Sequence, residues 1–299
     1  MLKSRSLFAR GTARNGTTTG PVPPTALVLL AVASVQLGAS IAKHLFETLG
    51  PAGTSFLRVG IGALVLLLVW RPRLHGYTRN AYVSVALFGI ALAAMNTSFY
   101  FALDRIPLGI AVTLEFVGPL GVAVAGSRRA LDLLWTGLAA AGVVLLTPWG
   151  GLHLDVLGAA FALLAGAFWA AYILLSARVG RVFPGGSGLA IALGVGAILL
   201  LPAGFLAGGS HLLDFRVLAM GTAVGLLSSV IPYSLELEAL RKLPTRVFGV
   251  LMSTEPAVAA VIGYLILREV LNVRAVIAIL LVTAAAAGTS RFKEPEPAG

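Results

Sequence analysis

Long apolar stretches alternate with short polar breaks along almost the whole of this sequence. Each stretch has about 18 residues or more, which is enough to cross ~30 Å of hydrocarbon as a helix. Only helices and closed barrels satisfy every backbone polar group inside lipid. The pattern therefore predicts an all-α membrane protein with ten transmembrane helices. The predicted spans are 25–43, 52–70, 81–103, 107–126, 131–149, 156–177, 187–207, 215–240, 244–267 and 272–290.

Composition indicates the same class. Of the 299 residues, 58% are hydrophobic and 11% are charged, whereas soluble domains average about 25% charged residues. A water-soluble fold of this length would expose apolar patches far larger than monomers tolerate. We therefore exclude a cytosolic enzyme and a DNA-binding domain, and we expect no nucleic-acid partner. The absence of cysteine excludes disulfides and cysteine-based metal sites.

Basic residues are distributed unevenly between the two sides that ten spans would define. The two tails and the even-numbered connections hold sixteen Lys and Arg residues, whereas the odd-numbered connections hold at most five. Because cytoplasmic loops carry the excess of Lys and Arg, we predict that both termini lie in the cytoplasm. The net charge of +10 is then explained by topology alone.

Two stretches repeat in register at an offset of 137 residues. Residues 103–107 align with 240–244, and Pro119 aligns with Pro256. The matched stretches fall in spans four and nine, so the repeat unit is five spans. An odd number of spans reverses the orientation of the second unit, which predicts an inverted repeat of the kind found in secondary transporters. Chance matching within a Leu-, Ala- and Gly-rich sequence is the alternative.

This repeat sets the predicted organisation of the chain. We assign residues 24–150 to the first five-helix repeat and 151–290 to the second. Residues 1–23, rich in Arg, Thr, Gly and Pro, form a disordered cytoplasmic tail, and 291–299 form a second cytoplasmic tail. We exclude a cleaved signal peptide because the first apolar run is too long and reaches Lys43 without a small-residue cleavage pattern.

Four strings within the spans resemble a known family. They are SVQLGASIAK at 34–43, PLGIAVTLEFVGP at 107–119, PYSLE at 232–236 and LPTRVFGVLMSTEP at 243–256. Together with the five-plus-five arrangement, they resemble the EamA-type members of the drug/metabolite transporter superfamily over residues 25–290. The resemblance implies a secondary active transporter of the bacterial inner membrane. It also implies proton-driven export of small amino acids such as threonine and homoserine.

Glu115 and Glu255 place carboxylates near the middle of spans four and nine. Ionisable side chains inside spans are rare and mark substrate or proton pathways by default. At the repeat offset Glu255 aligns with Gly118, which puts the two acids one helical turn apart on equivalent faces. We predict that both face one central cavity, where they bind substrate and carry the coupled proton. The alternatives are hydrogen bonds to a neighbouring helix or pairing with Arg58.

Polar side chains recur at helical spacing on four other spans. Such faces turn away from lipid, so we predict that they line the same cavity. Hydrogen bonds between helices, worth only ~0.6 kcal/mol on average, are the alternative explanation. The predicted substrate-binding residues on these faces are Gln36, Ser40 and Lys43 in span one, Asn96 and Tyr100 in span three, Trp169 and Tyr172 in span six, and Tyr233 and Glu236 in span eight.

A zwitterionic substrate needs an anionic partner for its ammonium group and a positive partner for its carboxylate. We assign the ammonium group to Glu255 or Glu115 and the carboxylate to Lys43. Arg58, seven residues after Pro51, lies near one end of span two. We expect its side chain to snorkel to the membrane surface.

The sequence carries no Walker A string, nucleophile elbow or HExxH motif. We therefore predict a transporter and not an enzyme, with no cofactor and no metal, driven by an ion or substrate gradient. Its predicted partners are a small-molecule substrate, protons and the lipid bilayer, and a homodimer stays open. One alternative is export of another small metabolite or drug on the same scaffold. A membrane-embedded enzyme or receptor is the other, and the short loops argue against it.

The basic-residue asymmetry generates a topology prediction. A reporter enzyme that is active only outside the cytoplasm should be silent when fused after Gly299. The same reporter inserted in the odd-numbered connection at 209–214 should be active. Activity of the C-terminal fusion in intact cells would mean that the number of spans is odd or the orientation is reversed.

Overall fold

A computed structural model describes residues 22–125, 130–146 and 155–291 of the chain. All regular elements in these ranges are helical. Of the tails predicted at 1–23 and 291–299, residues 1–21 and 292–299 lie outside the described residues, as do Arg128 and Arg129; residue 291 is the last of the final helix. The helices are α1 (Pro24–Trp70), α2 (Arg79–Leu103), α3 (Leu108–Glu115), α4 (Val117–Ala125), α5 (Ala130–Leu146), α6 (Val156–Gly180), α7 (Ser187–Gly208), α8 (Phe215–Gly225), α9 (Ile231–Leu240), α10 (Thr245–Met252), α11 (Glu255–Leu267) and α12 (Val273–Arg291).

Several of these helices, alone or joined end to end, have the length and composition of membrane spans. In the described part of the chain, six helical segments are long and apolar enough to cross a bilayer. Three shorter apolar helices lie at Leu108–Val122, Leu134–Leu145 and Val273–Gly288. The structure thus confirms the all-helical membrane fold. The number of ten crossings and the inverted relation of the two halves stay predictions.

Helix α1 is a hairpin and not one rod. A straight helix of 47 residues would be about 70 Å long, more than twice the hydrocarbon thickness. Gly50 breaks it with φ 63° and ψ 173°, a conformation that suits glycine. Gly38 and Gly62, twelve residues on either side of Gly50, pack against the adjacent residues Ser228 and Ser229. The arms 24–49 and 51–70 therefore run antiparallel, where the first two spans were predicted.

Helices α3 and α10 are matching short helices in the two halves. Each has eight residues and begins directly after a proline, Pro107 or Pro244. The offset between them is the 137 residues of the sequence repeat. Each is followed by a short interruption, at Phe116 and at 253–254, before α4 or α11 continues. At Phe116, Ser253 and Thr254 the backbone keeps right-handed helical angles, so each pair of helices continues in nearly the same direction.

The interior of the molecule is polar in places, and its exterior is strongly apolar. Leu206, Phe215 and Leu265 are 88%, 83% and 67% exposed, as expected of side chains that face lipid. Gln36 and Asn96, by contrast, are almost completely buried. This arrangement brings hydrogen-bonding side chains together at the centre of the helices, where lipid does not reach.

Small residues allow α3 and α4 to approach their neighbours at the backbone. Gly109 of α3 lies against Ala260 of α11, which joins the two halves. Gly118 of α4 meets the backbone of Gly166 in α6, and Gly166 also lies against the carbonyl oxygen of Glu115. Close backbone approach at small residues is a common way of packing helices in membranes. The position of Glu115 therefore depends on this contact.

We expect Gly118→Ala to lower the stability of the protein, because its methyl group would overlap the backbone of Gly166. Overpacking of this kind costs about 1–3 kcal/mol. Gly121→Ala on the same helix is the matched control, since its added carbon would meet open space. Thermal unfolding in detergent measures both variants. Equal melting temperatures for the two would show that the contact between α4 and α6 is not tight.

Candidate functional site

A cavity of about 600 Å³ lies between the two halves of the chain. Helices α1, α2, α3, α4, α6, α9, α10, α11 and α12 all contribute to its wall. Eight of the eleven residues predicted to bind substrate line it: Gln36, Asn96, Glu115, Trp169, Tyr172, Tyr233, Glu236 and Glu255. The structure therefore brings together side chains from both predicted repeats around one space.

Glu255 begins α11 directly after the interruption at 253–254. Its position in the first turn, with Pro256 next to it, places a carboxylate at the positive end of a helix dipole. Gln36 Nε2 donates a hydrogen bond to Glu255 Oε1 at 3.0 Å. Glu255 Oε2 and Gln36 Oε1 are buried and have no partner among the described residues. One edge of this pair is thus available to a ligand.

Glu115 occupies the corresponding place in the first half, as the last residue of α3. It is only 8% exposed, and Glu236 of α9 lines the same cavity. Three carboxylates therefore face a space in which Arg58 is the basic lining residue among those described. An excess of carboxylates in a buried cavity favours bound protons or a cationic ligand group.

Arg58 was expected to snorkel to the surface, and that expectation was wrong. Its side chain is 6% exposed and lines the cavity. Arg58 Nη2 donates to the carbonyl oxygen of Ser228 at 3.0 Å, and its guanidinium carbon lies 5.3 Å from the ring centroid of Tyr100. These contacts hold the charge inside, so the side chain does not reach the membrane surface.

The carbonyl that holds Arg58 belongs to a π-helical turn at Leu226–Val230. Ile231 donates its N–H to Leu226 O, so the oxygen of Leu227 lacks the donor that a regular α-helix supplies. Pro232 has no N–H, so the oxygen of Ser228 lacks its donor too. Leu227 O accepts from the Ser34 hydroxyl at 2.7 Å, while Ser228 O accepts from Arg58. The turn thus anchors both arms of α1.

Ser40, Lys43 and Tyr100, three of the predicted substrate-binding residues, are not among the lining residues of the cavity. The Ser40 hydroxyl bonds within its own helix, to Leu37 O at 2.7 Å. Tyr100 is fully buried beneath Arg58. It therefore supports a lining residue and does not itself face the space.

Lys43 forms an ion pair outside the cavity. Its Nζ lies 2.7 Å from Glu269 Oε1. The second oxygen of Glu269 accepts the backbone N–H of Leu108 at 2.8 Å, at the first residue of α3. Glu269 therefore ties α1 of the first half to α3 and to the segment after α11. We name Lys43, Glu269 and the Leu108 N–H the closing contact.

At the other side the cavity borders a smaller one of about 270 Å³, and the two share Tyr172, Ser176, Tyr233, Glu236 and Leu240 as lining residues. The smaller cavity reaches Trp70 and the Gly185–Gly186 turn between α6 and α7. The asymmetry of basic residues predicts that this connection lies on the cytoplasmic side. The space therefore extends from the central acids towards the predicted cytoplasm and away from the closing contact.

Several lining residues were not predicted from the sequence. Arg58 had a usable signal, since a charge within a span is a default functional candidate. The other unpredicted residues include Ser228 and an apolar set, for which spacing gives no signal. That set consists of Met95, Phe99, Phe116, Phe248 and Met252. Phe116 packs edge-on against Trp169 at 5.4 Å, which fixes one aromatic wall of the cavity.

Comparison with known proteins gives a consistent result. The EamA-like transporter family matches residues 156–291. The chain is 41% identical over 276 residues to the threonine/homoserine exporter RhtA of Salmonella typhimurium (strain LT2), covering 92% of this chain and 93% of the relative. It is 42% identical over 269 residues to RhtA of Escherichia coli (strain K12), covering 89% and 91%.

Two more distant matches cover most of the chain. An uncharacterized transporter of Bacillus subtilis, YwfM, is 29% identical over 222 residues, which is 71% of this chain and 74% of that protein. A solved crystal structure of 19% identity matches with a TM-score of 0.58 and covers 88% of this chain and 96% of its own. At that identity the likeness concerns the fold alone.

Proposed function

Because this chain belongs to the EamA-like transporter family, we propose that it is a secondary active exporter of threonine, homoserine and similar small amino acids in the bacterial inner membrane. The observation that carries this proposal is the 41–42% identity to exporters of that name along about nine tenths of both chains. A polar cavity lined by both halves supports it. We infer export and not chemistry, since the relatives are named as exporters and transporters.

The cavity has the size and chemistry that an amino acid requires. Small-molecule sites commonly measure about 300–1,000 Å³, and this one measures about 600 Å³. Glu255 and Glu115 present carboxylates to an ammonium group, while Asn96 and Tyr233 offer neutral polar groups to a side-chain hydroxyl. One amino acid with its water molecules fits this volume.

We propose that the structure represents an inward-facing state of alternating access. Lys43, Glu269 and the Leu108 N–H form the closing contact at the end predicted to be external. The opposite end continues through the smaller cavity towards the Gly185–Gly186 turn, on the predicted cytoplasmic side. Substrate would enter from the cytoplasm, and release would require the closing contact to separate. Rocking of one repeat against the other is the usual way to achieve this.

We propose Glu255 as the principal proton carrier, with Glu115 as the second. Glu255 has one carboxylate oxygen held by Gln36 and one without a partner in the part of the chain that the structure describes. Its charged and titratable neighbours around the cavity are Arg58, Glu115, Tyr172, Tyr233 and Glu236. A proton taken from one side and released to the other as access alternates would couple export to the proton gradient.

A second candidate function is export of another small metabolite or drug. The apolar part of the wall favours it, because Met95, Met252, Phe99 and Phe248 line the same space. Methionine side chains adapt to ligands of different shape. Cells would then show a changed tolerance to drugs or metabolites while amino-acid pools stay the same.

Overproduction of the protein should lower the intracellular pool of threonine or homoserine and raise tolerance to these amino acids in the medium. Intracellular concentrations are measured at confirmed expression in a strain that lacks its own exporters. Equal pools with and without the protein would remove the amino-acid assignment and favour the second candidate function.

Glu255→Gln should abolish uphill, proton-driven export, because Gln keeps the shape of the side chain but cannot take up and release a proton at physiological pH. In proteoliposomes with a pH gradient, the accumulation ratio of labelled threonine should fall to about one. Exchange driven by the substrate gradient survives if Glu255 carries only the proton, and fails if Glu255 also holds the ammonium group.

Glu238→Gln is the matched control for this variant. Glu238 lies on α9 but pairs with Lys242 at 2.7 Å and is not a lining residue of the cavity. The Glu238→Gln protein should accumulate threonine to the same ratio as the unmodified protein. If Glu255→Gln still concentrates threonine with the same pH dependence as the control, Glu255 is structural and Glu115 becomes the candidate proton carrier.

A further inference from the structure

Arg58 is a buried cation that forms no close ion pair. In the described ranges no Asp or Glu oxygen lies within 4 Å of its guanidinium group, although Glu115 and Glu255 line the same cavity. Its Nε is buried and has no hydrogen-bond partner there. A buried donor without a partner calls for an explanation, and a ligand in the cavity would supply one.

The contacts of Arg58 hold it in place without cancelling its charge. A backbone carbonyl, Ser228 O, accepts one N–H, and the ring of Tyr100 lies against the guanidinium plane. Both groups are neutral and both are buried. A guanidinium group fixed in this way retains donors for a planar anion, and carboxylates accept two parallel N–H bonds from arginine.

Unpartnered acceptors lie on the wall of the same cavity. Gln36 Oε1 and Glu255 Oε2 are both buried without partners among the residues described, and the Ser228 hydroxyl next to Arg58 is in the same situation. All these residues line one space. The site therefore presents unused donors at Arg58 and unused acceptors at Glu255 and Gln36, which is the pattern that a zwitterion completes.

We propose that Arg58 binds the carboxylate of the transported substrate, while Glu255 and Gln36 receive its ammonium group. This inference rests on the proposed export of amino acids and assigns the substrate class more narrowly. The site takes α-amino acids with a free carboxylate and discriminates against their esters, lactones and amino alcohols. Lys43, to which the sequence assigned this role, is instead paired with Glu269 away from the cavity.

The first test compares ligands on the unmodified, full-length protein in proteoliposomes. Unlabelled homoserine, homoserine lactone and threonine methyl ester compete with labelled threonine in an exchange assay. Homoserine should compete well, whereas the lactone and the ester should be about ten- to hundredfold weaker, as expected for the loss of a charged hydrogen-bonding group. Equal competition by the acid and its ester would overturn the proposal.

The second test uses variants of Arg58. Arg58→Gln should raise the KM for threonine by about ten- to hundredfold and should make the ester and the acid compete alike. Arg58→Lys keeps the charge but loses the two-pronged geometry, so it should retain part of the discrimination. Lys43→Gln is the control, and it should leave the preference for a free carboxylate intact.

A variant that cannot be reconstituted into liposomes is tested in detergent instead. Binding of homoserine and of its lactone is then measured as the rise in melting temperature that each ligand causes. Arg58→Gln should be stabilised to the same extent by both ligands. Discrimination that survives in Arg58→Gln, by either readout, would place the carboxylate elsewhere while export itself stands. Failure of the unmodified protein to move or bind any of these amino acids would refute the proposed function, and the assignment of Arg58 with it.

Discussion

Two carbonyl oxygens of one π-helical turn determine how the first half of the molecule meets the second. The N–H of Ile231 bonds Leu226 O and so leaves the oxygen of Leu227 without its helical donor. Pro232 has no N–H and so leaves the oxygen of Ser228 without one. Ser34 on the first arm of α1 and Arg58 on the second arm donate to these oxygens. Inside a membrane a carbonyl oxygen without its helical donor must bond another donor. The turn therefore depends on the donors of the α1 hairpin, and the turn in turn holds both arms of the hairpin.

The cavity follows from that anchoring. Ser34 fixes the first arm two residues before Gln36, which then reaches Glu255 on α11. Arg58 bonds the next carbonyl of the same turn and lines the same space. The interruptions at 116 and 253–254 place Glu115 and Glu255 at helix ends in the middle of the bundle. Three local departures from regular helix therefore position most of the charged groups of the site.

Rules that depend only on the local sequence predicted much of the fold and of the cavity. Apolar length predicted the helices, and intramembrane polarity predicted eight residues that line the cavity, including Glu115 and Glu255. The errors concern partners that are distant in sequence. Lys43 is neutralised by Glu269, 226 residues away, and Arg58 is held by an oxygen 170 residues away. No spacing rule reports which carbonyl a distant π-helical turn releases, so the sequence could not show that Arg58 stays inside.

Charges in this protein are used in two ways, and their surroundings distinguish them. Lys43 with Glu269, and Glu238 with Lys242, form close pairs of partly exposed side chains, and the first pair joins α1 to the segment after α11. Arg58 and Glu255 are more deeply buried, yet each keeps a polar atom without a partner among the described residues. A direct pair between them would satisfy the two groups with each other and leave neither free to bind a zwitterion. Holding each charge by neutral groups, Ser228 O and Gln36, keeps both available to a ligand that can leave again.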